Sequence, residues 1–158
     1  MMKIYSGDDL MELIPQRPPI VMVDMLAVDT DEDCQDGTGI ITGLYVSGNN
    51  MFVESGMFME PGIIEHMAQS AAAFSGYMSV HKRTPPSIGF LAEVKRFHLK
   101  RLPEAGQRLR TVLKVIGEAG GMSLMELSTC LDDGGRPSPG QQAATCQMKI
   151  FSGEKAVL

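Results

Sequence analysis

The stretch Met59–Val80 limits the possible folds more than any other. It reads Met-Glu-Pro-Gly-Ile-Ile-Glu-His-Met-Ala-Gln-Ser-Ala-Ala-Ala-Phe-Ser-Gly-Tyr-Met-Ser-Val. Pro61 suits a first helical position, because its missing N–H would have no helical partner there. Glu60 complements the positive end of the helix dipole. The next proline is Pro85. The stretch therefore predicts a helix over 61–80, about 30 Å long at 1.5 Å per residue. Ile63, Ile64, Met67, Ala68, Ala71, Ala72 and Phe74 leave little of its circumference polar, which marks a buried helix. Glu65 and Gln69 break the pattern. They are four apart and share a face. They form either a solvated stripe or a carboxylate held over a cleft with an amide orienting it, and spacing alone allows both.

At 158 residues the chain is long enough for a real core, and a single domain over 1–158 is expected. A net charge of −5 argues against nucleic acid as partner, since a phosphate backbone wants an excess of Lys and Arg. Cys34, Cys130 and Cys146 are widely spaced and odd in number, which fits reduced thiols in a cytoplasmic protein. No basic segment leads into an apolar run at the N-terminus, so no signal peptide is expected. No stretch approaches the ~20 apolar residues of a membrane span. Thirteen methionines and no tryptophan suggest an adaptable interior, with core filling the ordinary role.

In chain order, Ser6-Gly7-Asp8-Asp9 precedes Leu10, Met11, Leu13 and Ile14 and predicts a short first helix stopped by Pro15. Ile20–Val28 and Gly39–Val46 read as a strand pair around an acidic turn. Ser47–Phe58 reads as a loop before the long helix. After Pro85-Pro86, strands are predicted over Ser87–Lys100, Arg108–Glu118, Met122–Leu131 and Gln142–Phe151. The layout gives one α+β domain: a curved antiparallel sheet of about five to seven strands around one long helix. Val23, Ile41, Ile64, Met67, Phe74, Phe90, Val112, Leu127 and Met148 are the expected core.

Several chemistries find no support. His66, His81 and His98 lack zinc-ligand spacing, so no metal or cofactor is expected. Gly37-Thr38-Gly39-Ile40-Ile41-Thr42-Gly43 misses the dinucleotide spacing by one residue. No Gly-x-x-x-x-Gly-Lys or Gly-x-Ser-x-Gly occurs.

Two stretches carry a resemblance. Ile14-Pro15-Gln16-Arg17-Pro18-Pro19-Ile20-Val21-Met22-Val23-Asp24 is similar, in register, to the Leu/Ile-Pro-His-Arg-x-Pro-x-x-x-Val-Asp opening of the β-hydroxyacyl-acyl-carrier-protein dehydratases. Glu65-His66-Met67-Ala68-Gln69 resembles that family's Glu-Ala-Met-Ala-Gln on its central helix. Lys95-Arg96-Phe97, followed by Pro103 and Gly106, is a weaker third match. The chain also looks like the divergent dehydratase-like proteins of aryl-polyene pathways. The resemblance implies the hot-dog fold, a dimer, and an acyl thioester on acyl carrier protein or coenzyme A as substrate. It implies Glu65 as the acid that protonates a departing hydroxyl, and Gln69 as the residue that orients it. It implies substrate contacts at Gly56, Gly62 and Met67, with backbone N–H groups near the helix start polarising the thioester carbonyl.

The family's base, a histidine in an Asn-x-x-Phe-x-Gly-His-Phe-Pro loop, has no counterpart. The matching segment, Asn49 to Phe58, is shorter and contains no histidine. His66 points roughly 100° around the helix from Glu65 and reads as a packing or interface residue. Glu54 and Ser55 occupy the right loop. The chain is therefore expected to be weak alone and to pair, as homodimer or as heterodimer with a histidine-bearing paralogue. A hot-dog thioesterase and a non-catalytic subunit are the alternatives. Finally, Lys95, Arg96, Lys100, Arg101, Arg108 and Arg110 hold six of the fourteen basic residues within sixteen positions. They form either a landing patch for an acidic carrier protein or two solvated strand faces.

Overall fold

The computed structural model describes residues 1–84, 88–135 and 138–153. Its elements are β1 (Met2–Tyr5), α1 (Gly7–Met11), β2 (Met25–Asp29), β3 (Ile40–Tyr45), β4 (Val53–Glu54), β5 (Met57–Phe58), α2 (Glu60–His81), β6 (Ile88–Leu99), β7 (Arg108–Ala119), β8 (Met122–Leu131) and β9 (Gln142–Gly153). Seven strands form one antiparallel sheet in the order β1-β2-β3-β7-β8-β9-β6, and β4 and β5 pair separately. Helix α2 packs on the inner face of this sheet, as the resemblance implies. It starts one residue before the predicted 61 and ends one past 80. No helix among the described residues is long and apolar enough to cross a membrane.

The core lies between α2 and the sheet. Val23, Met67, Phe74, Leu127 and Met148 are buried in it, as expected. Three expected core residues are not. Ile64 is only half-buried at its edge, Ile41 is half-buried, and Val112 is 45 % exposed. The last two share a cause. Ile41 pairs with Val112 and Thr42 with Thr111. In both strands the threonine faces inward and the apolar neighbour faces out, because strand side chains alternate. Hydropathy alone picks the wrong face. Phe90, also expected in the core, has a side chain outside the described residues.

Two segments differ from expectation. Ser47–Phe58 is not all loop. Val53↔Phe58 and Glu54↔Met57 pair around Ser55 and Gly56, whose φ values of 50° and 76° fit a two-residue type I′ hairpin turn. Ile20–Asp24 is not a strand, since β2 begins only at Met25.

Helix α2 passes very close to the segment after α1. A Cβ added at Gly76 would lie 1.9 Å from the Leu13 carbonyl oxygen. Backbone cannot rotate away as a side chain can. Gly76→Ala is expected to destabilise the protein by about 3 kcal/mol, the upper part of the range for overpacking. Urea denaturation measures it, and an unchanged midpoint would contradict the close packing.

Candidate active site

The buried side of α2 includes three polar residues. His66, Gln69 and Ser70 have no exposed surface. Buried polar groups must find partners, and each does. The Gln69 Oε1 accepts from the Met22 N–H at 2.6 Å. Its Nε2 donates to the Ile20 carbonyl at 2.8 Å and to Glu65 Oε1 at 2.8 Å. The amide orientation is unique. A flipped amide would set its NH₂ against the Met22 N–H and its oxygen against two acceptors. Glu65 is partly buried, and its second oxygen accepts no hydrogen bond among the described residues. A carboxyl steered on one oxygen and open on the other suits transfer of a single proton to a bound group. The solvated-stripe reading thus fails for Gln69.

His66 is occupied at both ring nitrogens. Its Nδ1 lies 2.6 Å from the Met22 carbonyl oxygen, which can only accept, so Nδ1 carries the proton. Its Nε2 then accepts from the Thr111 hydroxyl at 2.8 Å, and the Thr111 oxygen accepts from Thr129 at 2.6 Å. Burial holds the imidazole down at about 4, so it stays neutral near pH 7. It faces the core and is a packing histidine, without the free nitrogen that a base needs. Ser70 donates to the His66 carbonyl and accepts from Thr42. Thr42, Thr111 and Thr129 are direct neighbours across β3, β7 and β8. This threonine row beneath α2 was not read from the sequence. Its signal is a threonine at an inward position in each of three strands.

The remaining expected site residues make no side-chain hydrogen bond to Glu65 or Gln69 among the described residues. Met67 is in the core, with its sulfur 3.8 Å from Cys146 Sγ. The Gly62 N–H bonds the Met59 carbonyl at 2.9 Å, and a Cβ there would sit 2.6 Å from Phe52 and the Phe58 ring. Gly56 lies exposed in the β4–β5 turn, its carbonyl accepting from Ala105. Asp24, from the first resembling stretch, accepts from the Tyr45 N–H at 2.8 Å and pairs with Arg108 at 3.0 Å. All three cysteines are unpaired.

The basic cluster does not form one patch. Lys95 and Arg96 lie on β6 and Arg108 and Arg110 on β7, three strand steps away, or roughly 14 Å. Arg108 is engaged by Asp24. Arg96 instead joins His98 and Lys114 along a cleft of about 420 Å³ on the outer face of the sheet. A second cleft, of about 760 Å³, lies near Tyr77 and His81. Neither reaches Glu65 or Gln69.

A long helix cradled by an antiparallel sheet, with a Glu–Gln pair on the helix, defines a dehydratase-like hot-dog protein. The chain belongs to the ApeP-like family of ApeP dehydratases, whose family model matches residues 9–157. Among solved structures it is similar to the dehydratase heterocomplex ApeI:P from Xenorhabdus doucetiae, at 16% identity and a TM-score of 0.74, covering 92% of this chain and 91% of that one. It is also similar to a hypothetical thioesterase with coenzyme A from Streptococcus pneumoniae, at 8% identity and a TM-score of 0.56, covering 72% and 77%. The E. coli PaaI protein of the phenylacetic acid degradation operon matches at 9% and 0.55, covering 71% and 74%. No curated protein matches the chain in sequence.

Proposed function

We propose that this chain is a subunit of a 3-hydroxyacyl-thioester dehydratase, acting on acyl groups carried by acyl carrier protein or coenzyme A. Glu65 protonates the departing C3 hydroxyl, which leaves as water. A base removes the C2 proton, and the C2–C3 double bond forms. Gln69 aims the Glu65 carboxyl. The observation that carries this reading is the Gln69 amide, fixed by Ile20 and Met22 and donating to Glu65 at 2.8 Å.

The base comes from a partner subunit, a hot-dog paralogue that keeps the loop histidine. Support comes from His66, closed off at both nitrogens, and from the heterocomplex of the structurally similar ApeI:P dehydratase. The partner also closes the acyl channel, which neither cleft of the single chain provides. Strand β6 is one of the two end strands of the sheet, and its outer edge pairs with no other strand among the described residues. An unpaired twelve-residue edge is a ready template for another strand. Ala68, Ala72 and Ser75 give α2 a partly exposed face of small residues beside Glu65. These two features support a dimer contact on this side. The thioesterase likeness is one of fold alone and carries no second reading.

The test is an assay with 3-hydroxyacyl thioesters, run on the protein alone and after co-expression with hot-dog paralogues. Enoyl product only in the mixed complex supports the proposal. Free thiol without enoyl product would replace it with a thioesterase. Neither product in any pairing would leave a non-catalytic subunit. Light scattering of the free protein should give a dimer mass at micromolar concentration, and a monomer would contradict the contact.

A further inference from the structure

The resembling motif has alanine where this chain places His66, between the proposed acid and its orienting amide. An imidazole in a dry core needs a reason. Its partners supply one. Met22 is held at both ends by α2, its N–H by Gln69 and its carbonyl by His66. The segment carrying Met22 belongs to no strand, so these side chains set its position. His66 is itself fixed to the sheet through Thr111 and Thr129.

We propose that His66 is a positioning residue for Glu65, acting through Met22 and Gln69. The path is continuous. Thr129 and Thr111 hold the imidazole, the imidazole holds the Met22 carbonyl, the Met22 N–H holds the Gln69 oxygen, and the Gln69 NH₂ holds Glu65 Oε1. Every link is 2.6–2.8 Å. Asp24 is the charged group that acts on the ring, and it is engaged by Arg108. Burial keeps the ring neutral against the upward pull of Asp24 and of the Met22 carbonyl, and the hydrogen bonds fix its tautomer. A neutral imidazole is both donor and acceptor on opposite edges of one rigid plane. That lets it bridge a carbonyl and a hydroxyl without a second side chain. A freed Met22 would loosen the Gln69 amide, and the Glu65 carboxyl would swing. Misplacement by about 1 Å can cost about 100-fold in rate.

This inference rests on the reading of Glu65 as acid, so the experiment has two arms. The first follows the Gln69 side-chain NH₂ by NMR in the protein alone. In the native protein its two protons should be widely split and slow to exchange. In His66→Leu they should collapse toward the averaged, fast-exchanging signals of a free amide. His66→Gln, which restores a donor and an acceptor, should recover part of the splitting. Thr111→Val, nearly isosteric, serves if His66→Leu does not fold. It should broaden the same signals. An unchanged Gln69 amide in folded His66→Leu or Thr111→Val overturns the inference, whatever the activity.

The second arm uses the mixed complex that eliminates water from a 3-hydroxyacyl-N-acetylcysteamine thioester. His66→Leu should lower kcat by about 10–100-fold with KM within about twofold. A purely structural role would lower Tm and leave kcat per folded complex unchanged, and that result counts against the inference. If Glu65→Gln itself leaves elimination intact, the functional reading fails, while the Gln69 signals still decide the inference.

Discussion

In a mixed dimer with a histidine-bearing paralogue, Glu65→Gln is expected to lower kcat for water elimination by about 10²–10⁴-fold, the usual contribution of a general acid. The substitution keeps the shape and removes the proton. Gln69 can still donate to the new amide oxygen, so the arrangement of Ile20, Met22 and Gln69 should survive. KM should change little, because the lost interaction matters only as the C–O bond breaks. The effect is confined to the site that this chain completes. Loss of the partner's histidine should be as severe, and the two losses should not add, since both groups serve one elimination. Full activity of the Glu65→Gln complex would remove Glu65 from the chemistry.

The second large effect concerns stability against pH. Burial holds folded His66 at about 4, against 6.5 for an ordinary histidine. Between those values the unfolded chain binds a proton that the folded one refuses. Stability therefore falls as pH drops from about 6.5 to about 4, and this one group accounts for about 3 kcal/mol of the loss. Above pH 6.5 the contribution is constant. His66→Gln should cost stability at pH 7 but lack this slope, so its difference from the native protein should shrink steadily toward pH 4. Comparing the two proteins removes effects common to both, such as the lowered carboxyls of Asp29 and Asp36. Urea midpoints at pH 7, 5.5 and 4.5 give the comparison. Parallel curves would mean that His66 is accessible to protons in the folded state.

What the sequence disclosed depended on where each element's partners lie. Helix α2 was legible to within a residue, because Pro61 and a largely apolar, proline-free run are local signals. Strands β7 and β8 were legible because Gly120-Gly121 punctuates them. Strand β1 was not. Its residues Met2, Lys3 and Ile4 are exposed on an edge, so no inside–outside alternation marks them. Ile20–Val23 has the composition of a strand, but its backbone is tied to helix side chains. Composition cannot tell which kind of partner a backbone finds. The Glu65–Gln69 contact was legible from i,i+4 spacing and the resemblance. The Met22 and Ile20 bonds, which span 47 and 49 residues, were not. Val112 was misplaced because a threonine took the inward seat beside it, for the sake of His66.

That seat bears on how the sheet assembles. Strand β7 carries apolar residues on both faces, Leu109 and Leu113 inside, Val112 and Ile116 outside. Sliding it by one residue exchanges the faces, turning Val112 and Ile116 inward but Arg110 and Lys114 with them. The slipped arrangement also sets Val112 or Arg110 under the imidazole and leaves a buried nitrogen and a threonine hydroxyl without partners, at about 1–3 kcal/mol each. The polar centre of this fold thus works as an error check on strand alignment: it adds little to the depth of the native well and much to the height of its nearest rival.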